Sequence, residues 1–81
     1  MKNISIYDNC GKTLDRITVI FNDRKRATKD GILYECISSS EMGSGFFLHS
    51  EAMKGKFLGK KIDFSKLSLP LQNKLLIEIN K

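Results

Sequence analysis

Aliphatic and polar residues alternate twice near the start of the chain: in Ile4-Ser5-Ile6, and again at 17–22, where Ile17, Val19 and Phe21 interleave with Thr18, Ile20 and Asn22. A period of two sends successive side chains to opposite faces of a strand, so both stretches predict β-strands. The polar decapeptide YDNCGKTLDR at 7–16 separates them and carries Asp8, Asn9 and Gly11, residues that accept turn geometry and positive φ. Strands one and two are therefore expected to form a hairpin. The next segment, NDRKRATKDG, has no apolar side chain larger than Ala27 and ends in Asp-Gly, which predicts an exposed loop leading into a third strand at 32–38.

The small-residue stretch SSSEMGSG precedes Phe46, Phe47 and Leu48, a short apolar run suited to a fourth strand. Between 51 and 61, Met53, Phe57 and Leu58 suggest a helical turn that Gly55 and Gly59 oppose, and the segment is read as loop with room for a short strand. Pro70 fits the first turn of a helix, where its missing N–H costs nothing. Leu71, Leu75 and Ile79 then recur at i, i+4 and i+8 with Leu76 beside them, while Ile77 falls off the stripe. The expected architecture is α+β: one domain over 1–81, with an antiparallel sheet of three to four strands and a C-terminal helix packed on one face.

Composition agrees with a folded chain, since 41% of the 81 residues are apolar and 28% are charged, unlike a disordered tail. A core of this size leaves a margin of roughly 3–5 kcal/mol, which self-association into a homo-oligomer would supplement. No apolar run approaches the ~18 residues of a membrane span, and MKNISIYDN has no signal-type apolar stretch, so a cytoplasmic protein is expected. Cys10, Cys36 and His49 supply three soft ligands without paired spacing, where a structural zinc site takes four; no metal or cofactor is expected.

Charge changes the picture more. Fourteen Lys and Arg against nine Asp and Glu give +5, and the excess is clustered: Arg24, Lys25, Arg26 and Lys29 in one run, Lys54, Lys56, Lys60 and Lys61 in another. Such clusters attract nucleic acid, nucleotides or an acidic protein surface, or serve simply as solvated tips. Gly11-Lys12-Thr13 invites comparison with a phosphate-binding P-loop, but that motif's first glycine would fall on Ile6, and a strand, not a helix, is expected after Thr13. The turn can still present successive amides as an anion nest, with Lys12 and Arg16 adding charge. Asp8 and Asp15 are either ribose acceptors or, more simply, a turn former and an ion-pair partner. Catalysis would draw on His49 and these carboxylates, yet no nucleophile signature accompanies Ser38, Ser39, Ser40 or Cys10.

YDNCGKTLDRITVIF, then SSSEMGSGFFLH, then LGKKIDFSKLSLPLQNKL together resemble a family of small, mostly uncharacterised bacteriophage proteins. Its members begin with Y-D-N-G-G-K-T-x-D-R-Y-T-V, continue to G-F-x-x-H and close with L-G-K-K-I-x-F-x-x-L-P. Position 10 is Cys here where the pattern has Gly, and the segment before Gly45 is shorter. The resemblance implies a motif of Tyr7, Asp8, Asn9, Gly11, Lys12, Thr13, Asp15 and Arg16, with Gly45, Phe46 and His49 as a second element. If strands one and two adjoin strand four, the two elements meet in one polar pocket. A phage origin implies a non-enzymatic accessory protein in the host cytoplasm. It would bind an anionic small molecule of nucleotide type or a host-defence protein, as an anti-defence inhibitor or sponge. Two alternatives stay open: a nucleic-acid-binding protein using the basic runs with Tyr7 and Tyr34 as exposed stacking platforms, and a small hydrolase or nuclease using His49.

Overall fold

The computed structural model describes residues 3–12, 14–40 and 48–80. These build β1 (Ile4–Asp8), β2 (Ile17–Thr28), β3 (Gly31–Ser39), β4 (Leu48–Ala52), β5 (Lys60–Ile62) and α1 (Leu69–Ile79), with 3-10 turns at Lys56–Leu58 and Phe64–Lys66. Every strand pair is antiparallel, in the order β4-β3-β2-β1-β5. The α+β class is as expected, but the sheet has five strands and not three or four. The extra one, β5, pairs with β1 through Ile6↔Ile62, Tyr7↔Lys61 and Asp8↔Lys60. Three residues, of which only Ile62 is apolar, give no period to read.

Alternation along the strands builds two apolar layers. Ile6, Ile17, Val19, Phe21 and Ile37 face one way and pack with Leu67, Leu71 and Leu75, so the helix closes the main core. Ile20 and Cys36 face the other way and meet Leu58 from the first 3-10 turn, with Tyr7, Tyr34 and Ala52 around them. The positions between the apolar residues of β2 are therefore not a solvent face. Chain 53–59 leaves β4 at one edge of the sheet and reaches β5 at the other.

The segment read as a loop after Asn22 is instead the outer half of β2, which continues to Thr28 and turns at Lys29-Asp30 into β3. Two features hide this strand. Residues 21–24 of β2 stand opposite Glu35 alone, a bulge that resets the alternation. Beyond it the strand is largely exposed, so no apolar side chain larger than Ala27 occurs there. Gly31, at φ 135, and the Thr28 Oγ1 bond to the Gly31 carbonyl (2.8 Å) close the tip.

Helix α1 begins at Ser68, whose hydroxyl accepts from the Leu71 amide at 3.4 Å, and Pro70 sits in the first turn as expected. Leu71 and Leu75 are wholly buried and Ile79 partly so. Leu76, placed beside the stripe in the sequence reading, is exposed together with Ile77, and Glu78 takes a buried position instead.

Candidate functional site

The 8–16 corner is held by its own side chains. The Asp8 carboxylate accepts from the Cys10 amide (2.7 Å) and from the Arg16 guanidinium at both oxygens (3.0 and 3.2 Å). Asn9 Oδ1 accepts from the Gly11 and Lys12 amides (2.9 and 3.1 Å), while its Nδ2 donates to the Asp15 carbonyl at 2.9 Å. The Asn9 amide bonds the Arg16 carbonyl at 3.0 Å and closes the hairpin. The expected amide nest exists, but Asp8 and Asn9 already fill it, and Arg16 is spent on Asp8. An external anion meets the Lys12 side chain here, not the backbone.

Cys10 has φ 60, a left-handed conformation costly for an L-residue, at the position where the resembled pattern carries glycine. Cys10→Gly should raise stability by about 0.5–1 kcal/mol, the relieved strain less the added freedom of the unfolded chain. A urea melt checks this; a lower midpoint would refute it. The Arg16 hydrogen bond, with the Cys10 amide, holds the Asp8 carboxyl below the usual carboxylate range despite its partial burial. A depressed folded value means the unfolded chain takes up the proton first. Asp8 thus stabilises the fold above its unfolded pKa of about 3.9, and that contribution fades as pH falls from there through the folded value. Amide resonances of Cys10 and Gly11 should shift over this acid range in the wild type and stay flat in Asp8→Asn.

Beside this corner lies the 3-10 turn that leads into β5. Gly59, at φ 93, brings its backbone against Asp8 and Asn9, and an added Cβ would sit 2.4 Å from both the Asn9 Cα and the Asp8 carbonyl oxygen. That close approach sets Lys56 and Lys60 next to Lys12. Together with Phe57, which is 60% exposed, they border an open cleft of ≈ 280 Å³ at the 9–12 turn. None of the three lysines has a carboxylate within ion-pair distance among the described residues. Lys56 and Lys60 were legible only as a basic run; what joins them to Lys12 is Gly59.

In the other basic run the two arginines are ion-paired. Arg24 lies 3.7 Å from Glu35 and stacks 4.4 Å above the Phe21 ring, and Arg26 makes a two-point contact with Glu51 at 3.2 and 3.3 Å. Lys25 and Lys29 stay exposed on the outer hairpin.

His49 does not join the corner. Its strand, β4, pairs with β3, so two strands separate it from β1. It lies on the helix side, where Nε2 is 3.1 Å from Glu78 Oε2; His49 is 67% exposed and Glu78 only 5%. Thr13, Gly45 and Phe46 lie outside the described residues. Tyr7 and Tyr34 are half-buried against the second apolar layer, not exposed as the stacking reading required, and the Lys54 ammonium sits 4.7 Å over the Tyr34 ring. Burial pushes the Cys36 thiol up, whereas Cys10 is exposed.

Among the described residues no group of His, Cys, Asp and Glu could hold a metal ion, and no helix is long and apolar enough to cross a membrane. The fold and this basic corner define a small α+β domain with a lysine-rimmed cleft. Compared with protein-family models, curated proteins and solved structures, the chain matches none.

Proposed function

We propose that this chain is a non-enzymatic bacteriophage accessory protein that binds an anionic ligand of nucleotide type, acting on host defence as a sponge or inhibitor. The observation behind the binding reading is that Lys12, Lys56 and Lys60 border one concavity with no carboxylate paired to them among the described residues. Unneutralised like charges in a concave site raise the local potential and favour a compact anion such as a phosphate. Phe57 offers a planar apolar wall beside it. The phage origin is what the sequence resemblance implies.

Calorimetric titration with pyrophosphate, AMP and cyclic dinucleotides tests the reading. Binding to at least one is expected, weakened tenfold or more in a Lys12→Glu, Lys60→Glu double variant. Neither heat nor thermal shift with any of them would remove it. The nucleic-acid alternative loses support from the half-buried tyrosines and from the ion-paired Arg24 and Arg26.

One observation favours a second reading, a small hydrolase. A buried Glu78 orients an exposed His49, the arrangement a general base uses, at the border of a cleft of ≈ 380 Å³ that Arg24 also lines. Turnover of a phosphodiester or ester probe that survives His49→Ala would dismiss His49 from that role.

A further inference from the structure

A second concavity, of ≈ 230 Å³, lies on the sheet face turned away from the helix, bordered by Asn9, Thr18, Ser38, Ser50, Phe57 and Leu58. Thr18 and Ser38 are register partners on β2 and β3, so their side chains stand side by side. Each residue is 5% exposed, and neither hydroxyl has a hydrogen-bond partner among the described residues. Neither is sealed off, since the only sealed side-chain polar atom without a partner among the described residues is Asn22 Oδ1. Both hydroxyls therefore open onto the cleft. Ser50 continues the row on β4, with its oxygen 3.4 Å from the Cys36 sulfur.

A buried hydroxyl left without a partner costs stability, so a pair kept at the floor of a cleft marks a place where something else completes the bonds. The chemistry of that group follows from the lining. No lysine or arginine borders this cleft, whereas Asp15 and Glu51 do, which disfavours a phosphate there. Neighbouring hydroxyls both donate and accept, and the group that matches them is another polyol; Leu58 and Phe57 supply the apolar surface a sugar ring's C–H face packs on. Asn9 and Phe57 border this cleft and the lysine-rimmed one alike, so the two adjoin across those residues.

From this adjacency we infer that the hydroxyl cleft is a second subsite, which holds the sugar of a phosphorylated sugar whose phosphate lies among Lys12, Lys56 and Lys60. The inference rests on the anion-binding reading and deepens it to a ligand class: a sugar phosphate, free or as the ribose phosphate of a nucleotide. Recognition is divided, with charge read at the lysines and ring hydroxyls read at Thr18 and Ser38.

Titrations with inorganic phosphate, ribose 5-phosphate and AMP, on the wild type and on a Thr18→Val, Ser38→Ala double variant, test it. Ribose 5-phosphate should bind at least tenfold more tightly than phosphate. The double variant should lose that advantage while phosphate affinity stays unchanged and the thermal midpoint does not fall, because the two hydroxyls bond nothing within the fold. A Lys60→Glu variant should weaken all three probes. Equal affinity for phosphate and ribose 5-phosphate, or undiminished ribose 5-phosphate binding in the double variant, overturns the sugar subsite and leaves the anion reading standing. No binding by any probe overturns both. AMP binding more tightly than ribose 5-phosphate supports the subsite in its nucleotide form, and equal binding of the two supports it in its sugar-phosphate form.

Discussion

Gly59→Ala should remove most of the stability of this domain. The backbone at Gly59, φ 93 and ψ −153, lies in a region that essentially only glycine occupies. The space is closed as well, because a Cβ there would stand 2.4 Å from the Asn9 Cα, 2.4 Å from the Asp8 carbonyl oxygen and 2.7 Å from the Asn9 nitrogen. All three are backbone atoms of a corner cross-braced by Asp8, Asn9 and Arg16, so none can rotate aside. Backbone strain of ~1–3 kcal/mol and overpacking of similar size together suggest a loss of about 3–5 kcal/mol. That is most or all of the roughly 3–5 kcal/mol margin that a core of this size leaves. Urea unfolding followed by circular dichroism should show the midpoint collapse, and a midpoint near the wild-type value would refute the account. Gly55→Ala is the control: its backbone is extended, and an added Cβ would press only on the Phe57 ring, which is exposed and can swing away.

Leu75→Ala should cost about 2–5 kcal/mol, the range for emptying a fully buried leucine site. Leu75 is wholly buried among Leu71, Ile37 and the aliphatic residues of β1 and β2, where α1 covers that face of the sheet together with Leu67 and Phe64 just before it. Leu76→Ala, one position on, removes the same atoms from a side chain that is 39% exposed and should cost well under half as much. Thermal or urea melts of the two variants in parallel decide the matter; similar losses would mean that the helix does not sit on the sheet as described.

The parts of the fold that declared themselves in the sequence are those whose large aliphatic residues recur on the side facing the helix. Ile4 and Ile6, then Ile17, Val19 and Phe21, and the 71, 75, 79 stripe carry that period, although Ser5, Thr18 and Ile20 between the strand positions are buried as well, under the second layer. The outer half of β2 escaped because it is largely exposed, and β5 because it is three residues long. Glu78 could not be read as buried, since its partner His49 comes from a strand that only the fold brings beside the helix. At the site, Asp8, Asn9, Lys12 and Arg16 share the hairpin corner, where Asp8 is the turn former of the simpler reading, but the ion pair of Arg16 is with Asp8 and not with Asp15. Thr18 and Ser38 went unnoticed because a strand hydroxyl has no local signature; their meaning comes from the register that pairs them. Lys56 and Lys60 gain theirs from a glycine contact made across fifty residues of chain.

The path of residues 53–59 from one rim of the sheet to the other bears on the order of assembly. A connection that must clear the whole width of β3, β2 and β1 can dock only after those strands have found one another, since its landing site on β1 does not exist earlier. The strap bearing Lys56 and Phe57 buries Leu58 in the second apolar layer and ends on the three residues of β5, so one wall of the lysine-rimmed cleft is carried by the segment that places the outermost strand. Opening of the ligand site and fraying of the sheet edge are then the same motion, and an occupant bridging the 9–12 turn and this strap would fasten the edge shut.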